Sequence, residues 1–158
     1  MKSVLGITAA ILFSVAGNMA SAASQDECAI WICLPGGFPS GCGAAHSAMI
    51  DRIKDRKPPL PDFGSCAVNP PKGSGSHMTF DWGIAAYIPS HRECVRWDWS
   101  GESCSKYDTV PESYVRGRRC NITEDSSDPR YCTKTVRWSE VFIEEKLAGP
   151  TYYWSTFY

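Results

Sequence analysis

The sequence predicts an α+β fold: a small disulfide-stapled domain with an N-terminal helical hairpin and a mixed or β-rich C-terminal part. Three observations predict it. Eight cysteines, an even number, all lie beyond an export-type leader. Apolar residues recur at three-to-four spacing through "GCGAAHSAMIDRIKDR". Short runs rich in aromatic and β-branched residues then fill the second half of the chain.

The leader comes first. Met1-Lys2 is a short positive start, "SVLGITAAILFSVAG" is uncharged and apolar, and "ASA" ends at Ala22 with small residues at the positions a signal peptidase reads. The apolar run is shorter than the roughly 20 residues of a spanning helix, and no second such run follows, so the reading is a cleavable signal peptide over 1–22 and a mature chain without stable membrane insertion. The compartment expected from this leader is an exported, oxidising one. One of the 16 basic residues and none of the 17 acidic ones belong to the leader, leaving a mature net charge of −2. That balance argues against nucleic-acid wrapping, which needs a strongly basic face.

The remaining 136 of the 158 residues suit one domain. It reads as a Cys-rich helical hairpin over 23–66, a Pro/Gly/Ser-rich connector over 67–78, and an aromatic-rich, disulfide-containing part over 79–158. Ser24-x-x-Glu27 has the form of a capping box opening a short helix in "QDECAIWICL", which Pro35-Gly36-Gly37 stops. In the second helix Ala45, Ala48, Met49, Ile50 and Ile53 form the apolar face, and Asp51, Arg52, Lys54 and Asp55 the solvated one. "KPPLPDF" ends it, because the residue before a proline leaves helical geometry. "MTFDWGIAAYIP" and "CVRWDW" read as strands. "TKTVRWSEVFIEEKL" fits helical and strand periods imperfectly, with strand favoured, and would form a terminal hairpin with "TYYWSTFY".

The cysteines are Cys28, Cys33, Cys42, Cys66, Cys94, Cys104, Cys120 and Cys132. No Cys-x-x-Cys spacing occurs, and an oxidising compartment favours covalent stapling over metal ligation. Eight cysteines allow roughly a hundred pairings, and spacing only weakly prefers four in each half. Cys33 and Cys42 flank the Pro-Gly-Gly turn at a separation suited to clipping it. Cys28 and Cys66 offer one way of tying the returning chain to the first helix.

The search for chemistry is short. His46 lies on the amphipathic helix, His77 in the connector, and His91 in "HREC" beside a cysteine needed for a disulfide. Asp51 and Asp55 sit among Arg52, Lys54 and Arg56 as a solvated face, and Glu144-Glu145 and Glu124-Asp125 lie in polar stretches. "RGRR", Arg116 to Arg119, is the densest basic patch and reads as a solvated loop. Neither catalytic residues nor a metal or cofactor is expected from these patterns.

"ECAIWICLPGGFPSGCGAAHSAM", continuing through "RIKDRKPPLPDFGSC", resembles the N-terminal signature of the TrbM/KikA family of conjugal transfer proteins. The resemblance covers about residues 26–66. It rests on Cys28, Cys33, Cys42 and Cys66, with Trp31, Pro35, Gly36, Gly37 and Pro39 around the turn. It implies a plasmid-borne or integrated-element protein, exported to the periplasm, with an accessory role in mating-pair formation. Its partners would be protein components of a conjugative type IV secretion apparatus. Trp31, Phe38 and Phe63 are the candidate partner-binding residues, with core filling as their ordinary alternative. The short hinge of the hairpin also permits exchange into a homodimer. The rival readings are a periplasmic cell-wall hydrolase, which needs converging carboxylates or a free thiol, and a secreted inhibitor or toxin.

Overall fold

The computed structural model describes residues 23–66 and 78–155. The expected signal peptide over 1–22, His77 and nearly all of the connector lie outside the described residues. In chain order the elements are helices α1 (Gln25–Cys33) and α2 (Gly43–Lys54), then strands β1 (Met78–Ile88), β2 (His91–Trp97), β3 (Cys104–Val110), β4 (Ser113–Arg116), β5 (Asn121–Ile122), β6 (Ser127–Asp128), β7 (Lys134–Ile143), β8 (Lys146–Leu147) and β9 (Tyr152–Ser155). This is the small, stapled α+β domain the sequence predicts.

The capping box forms as read. The Glu27 amide donates to Ser24 Oγ at 3.2 Å, and the Ser24 amide donates to Glu27 Oε2 at 2.9 Å. Both helices run antiparallel about the Pro-Gly-Gly turn, which closes through a 3-10 turn at Leu34–Gly36 with Gly37 at φ +70°. Arg52, placed on the solvated face by sequence, is instead the latch of the hairpin. Its guanidinium reaches Glu27 Oε1 at 2.5 Å and donates to the carbonyls of Pro58 and Leu60 at 3.0 Å each. Periodicity misplaces it because Arg buries its stem while its head satisfies carbonyls that the proline-rich exit leaves without helical partners.

The main sheet is antiparallel. β7 is central, paired to β1 over ten residues, to β9 over four, and to β8 at its end; β4 flanks β1. "TKTVRWSEVFI" is therefore strand, and it does form a hairpin-like pair with the aromatic tail. Two smaller ladders stand apart from this sheet: β2 with β3, and β5 with β6. One face of the sheet receives the helices. Ile30, Trp31, Leu34, Ala45, Met49 and Leu60 pack there with Val141, joined at the margin by Phe80, Tyr152 and Trp154. The other face carries a second cluster of Ala85, Val136 and Trp138 under Tyr87, Tyr114 and Tyr153. Gly149 seals the helix–sheet contact: a Cβ there would stand 2.5 Å from the Pro35 carbonyl oxygen, and its φ of +148° is one that side chains rarely adopt.

The four disulfides are Cys28–Cys66, Cys33–Cys42, Cys94–Cys104 and Cys120–Cys132. They fall two in each half, and the two N-terminal bridges are those the turn suggested. Such bridges persist in an oxidising, exported environment. Among the described residues no helix is long and apolar enough to cross a membrane.

Two predictions follow from these loops and turns. Cys28–Cys66 closes a separation of 38 residues and Cys33–Cys42 one of 9. Loop entropy then assigns about 4 kcal/mol to the first and about 3 kcal/mol to the second. The Cys28→Ala/Cys66→Ala pair should therefore show the lower urea midpoint of the two double variants. The β7–β8 hairpin turns on Glu144 and Glu145 at φ +49° and +65°, a backbone that prefers Asn-Gly. Glu144→Asn with Glu145→Gly should raise stability by about 1 kcal/mol, read as a higher melting temperature.

Candidate functional site

All eight cysteines are in disulfides, so no thiol is free to act as a nucleophile or metal ligand. That removes the cysteine form of the hydrolase reading. Among the described residues no three His, Cys, Asp or Glu side chains converge as a metal site. His46 lies against Phe38 and Tyr152, with Nε2 3.4 Å from the Tyr152 hydroxyl. His91 lies over Tyr131 at 4.2 Å, with Nδ1 3.0 Å from the Pro89 carbonyl oxygen. Both are packing residues.

The basic patch is dispersed by the fold. Arg116 forks onto Glu140 on the open face of the sheet, lies 4.2 Å over the Trp138 ring, and shares Glu140 with the Thr151 hydroxyl. The Arg116 hydrogen bonds, joined by that of Thr151, hold the Glu140 carboxyl below its ordinary range, although burial opposes them. Arg118 instead pairs with Asp128 at 2.9 Å. Thus two members of "RGRR" spend their charge within the domain.

The three candidate binding residues do not stay together. Trp31 is 2% exposed and meets Phe63 and Phe80 edge-on at 5.3 and 5.5 Å. Phe38 sits elsewhere, against His46 and Tyr152. Trp31 and Phe63 do line an apolar cleft of about 510 Å³ beside the Cys28–Cys66 bridge, with Ile32 81% exposed at its margin. Trp31 is thus a core residue whose edge reaches a cleft. Burial of so large a ring is expected where a hairpin has few other apolar side chains to offer.

Sequence reasoning did not single out the most exposed aromatic surface. It lies on the β2–β3 ladder, which pairs with no other strand among the described residues. Trp99 is 99% exposed at its tip and Trp97 57% exposed beside it, with Val95 and Tyr107 half open below and Arg92 4.6 Å over the Tyr107 ring. The tip is held by its own hydrogen bonds. The Asp98 amide donates to the Ser103 carbonyl at 2.8 Å, the Gly101 amide to the Asp98 carbonyl at 3.2 Å, and Ser100 Oγ to Asp98 Oδ1 at 2.7 Å. On the Asp98 carboxylate itself, the Ser100 hydroxyl foremost and the Ser103, Gly101 and Glu102 amides lower the pKa, although burial opposes them. Cys94–Cys104 closes the ladder just below. An ordered loop backbone thus presents the indole to solvent, which reduces the backbone entropy lost when a partner covers it. The signal in the sequence is "CVRWDWSGESC": two tryptophans at i and i+2 inside a ten-residue disulfide loop too short to fold over them.

Comparison with family models, with curated proteins and with solved structures finds no match for this chain.

Trp31 and Trp99 should separate cleanly on substitution. Trp31→Ala should cost about 3–5 kcal/mol by emptying the helix–sheet core. Trp99→Ser should change stability by no more than about 0.5 kcal/mol, because nothing in the fold rests on it. Equilibrium urea unfolding of both variants checks the contrast.

Proposed function

We propose that the chain is an exported accessory protein of bacterial conjugation, resident in the periplasm after removal of its leader. In this reading it works by binding and assembly within a type IV secretion apparatus. Support for the setting comes from the TrbM/KikA-like run through residues 26–66 and from four disulfides that suit an oxidising compartment. Support for a binding role comes from one observation above all. Trp99 stands almost wholly in water on a tip fixed by hydrogen bonds and a disulfide. Tryptophan is the residue most enriched among the anchors of protein interfaces, and a preformed anchor binds at low entropic cost. The tip is therefore the contact surface of choice toward a protein component of the apparatus.

Deletion of the gene from its element should lower transfer frequency, and supply of the wild-type chain in trans should restore it. The Trp97→Ser/Trp99→Ser chain should accumulate in the periplasm with its disulfides intact yet fail to restore transfer. An interface anchor is worth about 2 kcal/mol or more, so co-purification with the secretion components should weaken roughly thirtyfold. Unchanged transfer after deletion would overturn the conjugation role, and full complementation by the double variant would overturn the role of the tip.

A further inference from the structure

Where the end of α2 meets the sheet, three cations and two indoles line one cavity of about 160 Å³. Arg56 and Lys57 come from the helix exit. Arg137 comes from the central strand, directly opposite Trp154 on β9, with Trp82 on the neighbouring strand. Lys57 pairs with Asp55 at 3.1 Å. Neither Arg56 nor Arg137 has a carboxylate partner among the described residues. The niche therefore holds surplus positive charge beside two indoles, with Arg56, Lys57 and Trp82 still reached by water.

The backbone at Arg56 supplies a clean variant. The Lys57 amide donates to the Arg52 carbonyl at 2.9 Å and the Arg56 amide to the Ile53 carbonyl at 3.0 Å. This is a helix-ending motif whose left-handed position normally takes glycine. Here arginine takes it at φ +61°, so glycine at this position removes the cation without cost to the fold.

We propose that this niche binds a glutamate side chain from an acidic segment of a partner protein. The cavity is well below the roughly 300–1,000 Å³ of sites for drug-sized ligands, so it takes one side chain rather than a nucleotide. A glutamate matches both of its surfaces. Its methylenes lie on Trp82 and Trp154, and its carboxylate meets the forks of Arg56 and Arg137. A free phosphate would satisfy the cations and leave the indoles uncovered. The proposal rests on the reading that the chain works by binding protein. Its test uses the purified chain and no transfer apparatus, so failure here leaves the transfer experiment untouched.

Isothermal titration with acetylated, amidated hexaglutamate should show saturable binding that weakens with salt. Arg137→Gln should weaken it about tenfold, the loss of one charge-assisted pair. Arg56→Gly should weaken it similarly while leaving the melting temperature unchanged or higher, a combination that a merely structural arginine would not give. Arg119→Gln, on an exposed loop elsewhere, should bind as the wild type does. The proposal is overturned if the wild-type chain gives no saturable heat at low salt. Equal binding by the Arg56 and Arg137 variants overturns it too, as does inorganic phosphate displacing the peptide at equal concentration.

Discussion

Covalent closure is the constraint on which the rest of this structure depends. The buried core is small: a helix-side cluster built around Ile30, Trp31, Leu34 and Met49, and a second of three residues on the far face of the sheet. Neither helix is long enough to persist alone, since short isolated helices are marginal in water. Cys28–Cys66 returns the chain to the first helix and Cys33–Cys42 clips the turn, so the hairpin is held closed by bonds of its own. The same device recurs on the other side. Cys94–Cys104 lets a two-stranded ladder stand away from the sheet although such ladders are barely stable alone.

Spending every thiol in this way has a chemical consequence. The protein gives up the thiolate as a nucleophile and as a soft metal ligand. The interior polar groups follow the same economy. Arg52 serves the capping Glu27 and two carbonyls at the helix exit. Arg116 serves Glu140 and the Trp138 ring. The surfaces left over are an exposed indole on an ordered tip at Trp99 and a basic niche at Arg137 walled by Trp82 and Trp154. The two proposals made for them draw on different forces: desolvation of an aromatic ring in one, charge beside an apolar wall in the other.

Much of the fold was legible because it is written locally. Ser24 and Glu27 announce a helix start within four residues, and the apolar spacing of Ala45, Met49 and Ile53 sets the buried face of α2. What escaped was written at a distance or against preference. The β7–β8 turn uses two glutamates where asparagine and glycine would signal it. β3 and β4 are too polar to stand out and are strands because of what they pair with. Of the site, Trp31 was legible as an aromatic of the signature, with core filling as the alternative that its 2% exposure bears out, and Trp97 and Trp99 gave their signal only through the shortness of the loop that carries them.

The sequence by itself determined the covalent character of the molecule, the division between a helical first half and a strand-rich second half, and the turn about which the helices fold. These follow from residue type and spacing within a few positions. Only the tertiary structure decided which aromatics face water and which cations remain without partners. Trp31 stands among Ala29, Ile30 and Ile32 and Trp99 among Asp98, Ser100 and Gly101, so local sequence already leans the two apart; the structure adds that Trp31 meets Phe63 and Phe80 across the fold while Trp99 is left 99% exposed. Arg116 and Arg137 likewise lie 21 positions apart, and only strand register gives one Glu140 and the other Trp154. Such outcomes depend on contacts between distant segments, and those contacts exist only once the chain has closed on itself.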